Sequence, residues 1–172
     1  MKHSPTLSAT SITLRILIIL NWVFGAFVFT MLAISFQAGN WTWRALKVGA
    51  VADHEGAAAG MRAIMVLGLI GIPLGYVVFS RLLRIVESVR TGEPFTRENA
   101  GRLRTIAWAL LGLQLLHVVV AAIASAVARR GVPLRIGGHF QVGGWLAVLL
   151  LFVLAQVFLE GTRMREDLEG TV

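Results

Sequence analysis

The chain has 172 residues, of which 56% are hydrophobic and only 15% charged, and its formal net charge is +7. A soluble domain of this length needs far more charge to cover its surface, so the composition excludes an ordinary soluble fold and points to lipid as the solvent. The excess of 16 Lys and Arg over 9 Asp and Glu fits cytoplasmic segments beside anionic head groups. Direct nucleic-acid binding is not expected, because no soluble module remains once the apolar segments are set aside. The absence of Cys excludes disulfides and thiolate chemistry.

Four apolar runs are long enough to cross a bilayer: residues 16–36, 61–83, 106–128 and 142–159. The shortest would span about 27 Å as a helix, close to the hydrocarbon thickness. Backbone groups in lipid must pair within the chain, so the runs are predicted to be helices. The expected fold is therefore an all-α membrane protein, one domain over residues 1–172, built as a four-transmembrane-helix bundle. Helical cytoplasmic extensions and a small extracytoplasmic β cap complete the expectation.

The first run is longer than the ~7–15 apolar residues of a signal peptide. A cut after Ala38 would also put Phe36 where a small residue is needed, so a retained span is expected. The second run has Gly71 and Gly75 at a spacing that lets helices approach closely, within the bundle or between copies in a homo-oligomer. Pro73 lies between them and is expected to kink the helix.

The two outer connections look alike. Trp41, Trp43, Leu46 and Val48 occupy one, and Val132, Leu134, Ile136, Phe140 and Val142 recur around Gly137-Gly138 in the other. This pattern fits either short strands or an irregular loop with interfacial Trp anchors. Asp53, His54 and His139 fall here without a ligand-like spacing, and no metal or cofactor is expected.

Between the second and third runs the sequence reads "GEPFTRENAGRLRTIAW". The second helix is expected to continue past the membrane, with Leu82, Ile85, Val86 and Val89 on one face and Arg81, Arg84 and Ser88 on the other. Gly92 should end it, Pro94 should keep the chain out of helix, and Thr96 should cap the next one. Phe95 before the cap is expected to pack back on that helix, and Glu98 suits its first turn. In the tail, Glu160–Arg163 and Arg163–Asp167 have pairing distances along a helix. Glu160 should also lie at the depth of Arg102 and Arg104 and pair with one of them.

Ten of the Lys and Arg residues fall on the side of the N-terminus, the middle connection and the C-terminus, against six on the other. The positive-inside rule then places both termini and the middle connection in the cytoplasm of a bacterial inner membrane.

These residues resemble a bacterial family of four-helix membrane proteins catalogued as a domain of unknown function. The family pattern matches Gly92, Pro94, Phe95, Glu98, Asn99, Ala100, Arg102, Leu103 and Arg104, and in the tail Val157, Phe158, Gly161, Arg165, Glu166 and Val172. The resemblance spans nearly the whole chain. It implies an integral membrane protein without an assigned activity. It also implies a neighbouring gene for a small Cro/CI-like helix-turn-helix regulator, and hence a protein that holds or releases such a partner.

Few polar residues lie inside the runs: Asn21, Gln114, His117 and Gln156. They are expected to face the bundle interior. There they would serve as interhelical hydrogen bonds or, in the alternative reading, as the polar path of a small transporter or immunity-type protein. No phosphate loop, paired carboxylates, metal-ligand spacing or nucleophile with a base is present, so no enzyme is expected. The leading expectation is a regulatory or interaction protein. Its partners are the bilayer and a soluble protein docked on Glu98, Asn99, Arg102, Arg104, Glu160, Arg163 and Arg165.

Overall fold

The computed structural model describes residues 5–37, 54–92, 95–129 and 142–169, and the side chains of 7–36, 56–92, 95–129 and 142–164. Four helices follow in order: α1 Pro5–Gln37, α2 His54–Thr91, α3 Arg97–Ala128 and α4 Val142–Glu169. Among the described residues there is no strand. The two segments expected to form a β cap lie largely outside the described residues, as do Glu93 and Pro94.

Each helix contains one of the apolar runs and extends past it. The spans long and apolar enough to cross a membrane are Leu7–Phe36, Gly56–Thr91, Arg97–Ala128 and Val142–Met164. The chain is a multi-pass membrane protein with an all-α, four-helix bundle. At 1.5 Å per residue, α1 is about 50 Å long and α2 about 57 Å, both well beyond the ~30 Å of hydrocarbon. α1 starts at Pro5, ahead of the apolar run. Proline suits a first turn because the amide it lacks would have no partner there.

Hydroxyls inside the spans are satisfied by their own helices. Ser11 donates to Ser8 O at 2.9 Å, Thr13 to Ala9 O at 3.0 Å, and Thr30 to Ala26 O at 2.8 Å. No water is needed at these sites, which lets them sit in lipid. The large side chains of α1 point outward: Ile19, Phe24 and Phe27 are all more than half exposed, as expected of a surface solvated by acyl chains.

The contacts divide the chain into two compact units. The first comprises Met1–Asn21, Leu74–Leu113 and Gln141–Val172. Its core centres on Val78, Ile106 and Ala109, with Leu74, Leu82, Ile85 and Leu151 packed against them. Within it α1 and α2 run antiparallel, joined by Asn21 against Gly75 and by an exposed Arg15–Glu87 ion pair at 3.4 Å. A methyl on Gly75 would come within 2.8 Å of Asn21 Oδ1, so glycine here makes room for a polar side chain. Leu74 fills the space beside Gly112, which pairs α2 with α3 in the same way.

The second unit comprises Trp22–Pro73 and Gln114–Phe140. Here α1 meets α2 at Gly25 against Ile72, and α2 meets α3 at Gly60 against Val127 and Ile123. Arg62 closes the end of α1. Its Nε donates to Ser35 Oγ at 3.1 Å, its Nη2 donates to Ser35 O at 2.7 Å, and its guanidinium lies 4.7 Å from the centre of the Phe36 ring. Ser35 O is among the last carbonyls of α1, which have no partner within the helix, and a cation suits the negative end of its dipole. Arg62→Met keeps the aliphatic stem and removes both donors. It is expected to cost about 2 kcal/mol, read as a lower midpoint in a detergent denaturation titration, with Arg62→Lys recovering part of the loss.

Candidate functional site

The connection between α2 and α3 is built as its residues dictate. Gly92 takes φ +89°, the left-handed conformation that ends a helix at little cost for glycine. Its amide donates to Val89 O at 3.2 Å. Thr96 then caps α3: its Oγ1 accepts from Asn99 N at 3.2 Å, and its carbonyl accepts from Ala100 N at 3.1 Å.

Asn99 is fully buried and sits at the centre of a polar clamp. Its Nδ2 donates to Ser88 Oγ at 2.6 Å, while Ser88 donates its own proton to Ile85 O at 2.8 Å. Asn99 Oδ1 accepts from Arg102 Nη1 at 2.8 Å, and Arg102 Nη2 donates to Glu98 Oε2 at 2.6 Å. Arginine can only donate, so it fixes which end of the amide is oxygen. The chain of bonds ties the last turns of α2 to the first turns of α3. A buried polar side chain carries no penalty when both its ends are used in this way.

Beside the clamp, a cleft of about 570 Å³ opens between α3 and α4. From α3 it is lined by Arg97, Ala100, Gly101, Arg104 and Trp108, and from α4 by Phe152, Ala155, Gln156 and Leu159. The spacings of three and four put each set on one helical stripe. Trp108 meets Phe152 edge-on, ring centres 5.2 Å apart and planes at 83°. Toward the start of α3, Phe95 meets Phe158 at 5.0 Å. The cleft is cationic at Arg97 and Arg104 and aromatic at Trp108 and Phe152. Among the described residues no carboxylate lines it. Among the described residues Arg104 makes no ion pair, whereas Arg102 is committed to Glu98.

Residues 42–172 match the family described as "Protein of unknown function (DUF2975)". The chain belongs to this family. No curated protein and no solved structure matches it. The DUF2975 match takes in α2, α3 and α4, and with them the clamp and the cleft. It leaves α1 outside, so it is shorter than the nearly whole-chain resemblance expected from the sequence.

In this DUF2975 chain the structure redistributes the expected site residues. Asn99, expected on a docking face, is buried, and Arg102 is mostly buried beside it. Glu98 is exposed but tied to Arg102. Glu160 reaches Arg163 at 3.5 Å on its own helix, and among the described residues nothing joins it to Arg102 or Arg104. The expected pairing of Glu160 across to α3 is therefore corrected. Arg102 is held by Asn99 and Glu98, and α4 faces the cleft beside Arg104 with Gln156 and Leu159 while Glu160 pairs along its own helix. Arg165 and Asp167 lie outside the described side chains.

Ser88 turns toward Asn99 instead of away from the apolar face, and Phe95 makes a ring contact with Phe158 of α4. Of the intramembrane polar set, Asn21 is partly buried in the first unit and Gln114 partly buried in the second. His117 and Gln156 are exposed rather than directed inward, and Gln156 lines the cleft. Among the described residues no three His, Cys, Asp or Glu cluster as metal ligands. Sequence reasoning missed Trp108, Phe152 and Gly101 as one surface. The signal was present in the stripe 97, 101, 104, 108, which places two arginines, a glycine and a tryptophan on one face.

Proposed function

We propose that the chain is a non-enzymatic regulatory or interaction protein of a bacterial inner membrane. Its termini and its α2–α3 connection lie in the cytoplasm, and its charged helix ends there dock a soluble partner. A helix-turn-helix regulator is the kind of partner the family resemblance implies. The distribution of Lys and Arg supports the orientation. The observation that carries the docking reading is the clamp: it holds the start of α3 rigidly against α2, so exposed Arg97 and Glu98 stand on helix rather than on loose chain. Rigid presentation lowers the ordering cost of binding. Glu160 and Arg163 add an exposed charged patch on α4.

The test is crosslinked purification of tagged protein from its host membrane, comparing wild type with a Glu160→Arg/Arg163→Glu/Glu98→Arg variant. A soluble regulator recovered with wild type, and at least tenfold less with the variant at equal membrane abundance, is the expected result. Equal recovery from both, or no soluble protein with either, counts against docking. A periplasmic reporter signal from a C-terminal fusion would overturn the orientation.

A further inference from the structure

We propose that the α3–α4 cleft binds one anionic phospholipid, its phosphate held at Arg104 and an acyl chain laid along Trp108, Phe152 and Ala155. The cleft holds about 570 Å³, within the range of sites that enclose small ligands. Its two ends differ as those of an amphiphile do. Arg104 stands just before the apolar run of α3, at the level of lipid head groups. Trp108 is one turn deeper, about 6 Å along the helix, in the belt where tryptophan is favoured. Phe152 packs edge-on against it, so the deeper wall is hydrocarbon and ring.

The charge selects the head group. Among the described residues no carboxylate lines the cleft, and Glu98 and Glu160 are engaged elsewhere, with Arg102 and Arg163. Arg104 is exposed, and its guanidinium meets no described carboxylate. An anionic phosphate diester answers that charge, and a zwitterionic lipid brings its own cation with it. Gly101 leaves open space in the cleft: a Cβ added there would meet no atom within 4 Å.

The test is native mass spectrometry of the full chain in a neutral detergent, titrated with phosphatidylglycerol and phosphatidylcholine of identical acyl chains. Wild type is expected to take up one phosphatidylglycerol at least fivefold more readily than phosphatidylcholine. Arg104→Gln should remove about fivefold of that preference, the scale of one arginine near an anionic head group. Arg84→Gln, which removes the same charge from an exposed site on α2 outside the cleft, should leave the preference unchanged. Gly101→Leu fills the space and should suppress uptake of both lipids, while excess inorganic phosphate should displace neither. Equal affinity for the two lipids, an equal loss in Arg84→Gln, or displacement by inorganic phosphate would each overturn the proposal. Should Gly101→Leu fail to fold, the comparison of Arg104→Gln with Arg84→Gln decides alone.

Discussion

Replacing Asn99 by Leu is expected to destabilise the protein by about 2–4 kcal/mol, one of the largest effects of any single change in the α2–α3 region. Leu keeps the branching of Asn and is the larger of the two, so the loss is not that of a cavity. It comes from Arg102, whose Nη1 loses its acceptor at a position where the side chain is only 19% exposed. A donor on a charged group left without a partner away from water carries the full cost of desolvation. Ser88→Ala should cost only about 1 kcal/mol, because it removes one neutral bond. The double variant Asn99→Leu/Arg102→Leu should be less damaged than the two single losses added together, since the second change removes the stranded donor. Denaturation followed by tryptophan fluorescence in detergent reads all four proteins. An Asn99→Leu loss no larger than that of Ser88→Ala would show that the arginine is not what makes the amide matter.

The second large effect is a change of sign. Gly60 lies against Val127, which is almost wholly buried, and a methyl at Gly60 would overlap the Val127 side chain. Gly60→Ala is therefore expected to cost about 1–3 kcal/mol by overpacking. In a Val127→Ala background the overlap is gone, and the same substitution meets only ordinary contacts, with the Cβ of residue 127 at 3.7 Å and Ile123 Cγ2 at 3.8 Å. It should then be neutral or stabilising by up to about 1 kcal/mol, the ordinary helical advantage of alanine over glycine. Gly161→Ala is the control, because a Cβ there meets nothing within 4 Å and only the helical gain remains. A Gly60→Ala cost that persists unchanged in the Val127→Ala background would mean that some contact other than Val127 sets the distance between α2 and α3.

The four helices and the stop-turn-start between α2 and α3 were legible because they rest on local chemistry. Apolar runs exceed the bilayer thickness, Gly92 adopts a conformation few other residues accept, and Thr96 carries a capping hydroxyl. The helix ends were less legible. α1 begins at Pro5, in first turns rich in Ser and Thr ahead of the apolar run, which a search for apolar stretches does not register. The partners of individual charges were legible only where they stand three or four residues apart, as for Glu160 with Arg163. Arg62 with Ser35 and Ser88 with Asn99 depend on how separate helices are rotated against one another, which periodicity in a nearly uniform apolar helix does not specify. Asn99 was misread for the same reason. On a chain solvated by lipid, polarity alone does not distinguish a residue facing a partner from one satisfied inside the fold.

Arg62 also bears on how the chain is made. The carbonyl it closes belongs to Ser35, 27 residues earlier. At ~5–20 residues per second a ribosome needs about 1–5 s to cover that distance. During this interval α1 has left the synthesis machinery with its last turn open, and only when the first turns of α2 emerge does that end gain its donor. The end of α1 is therefore complete only together with the start of α2.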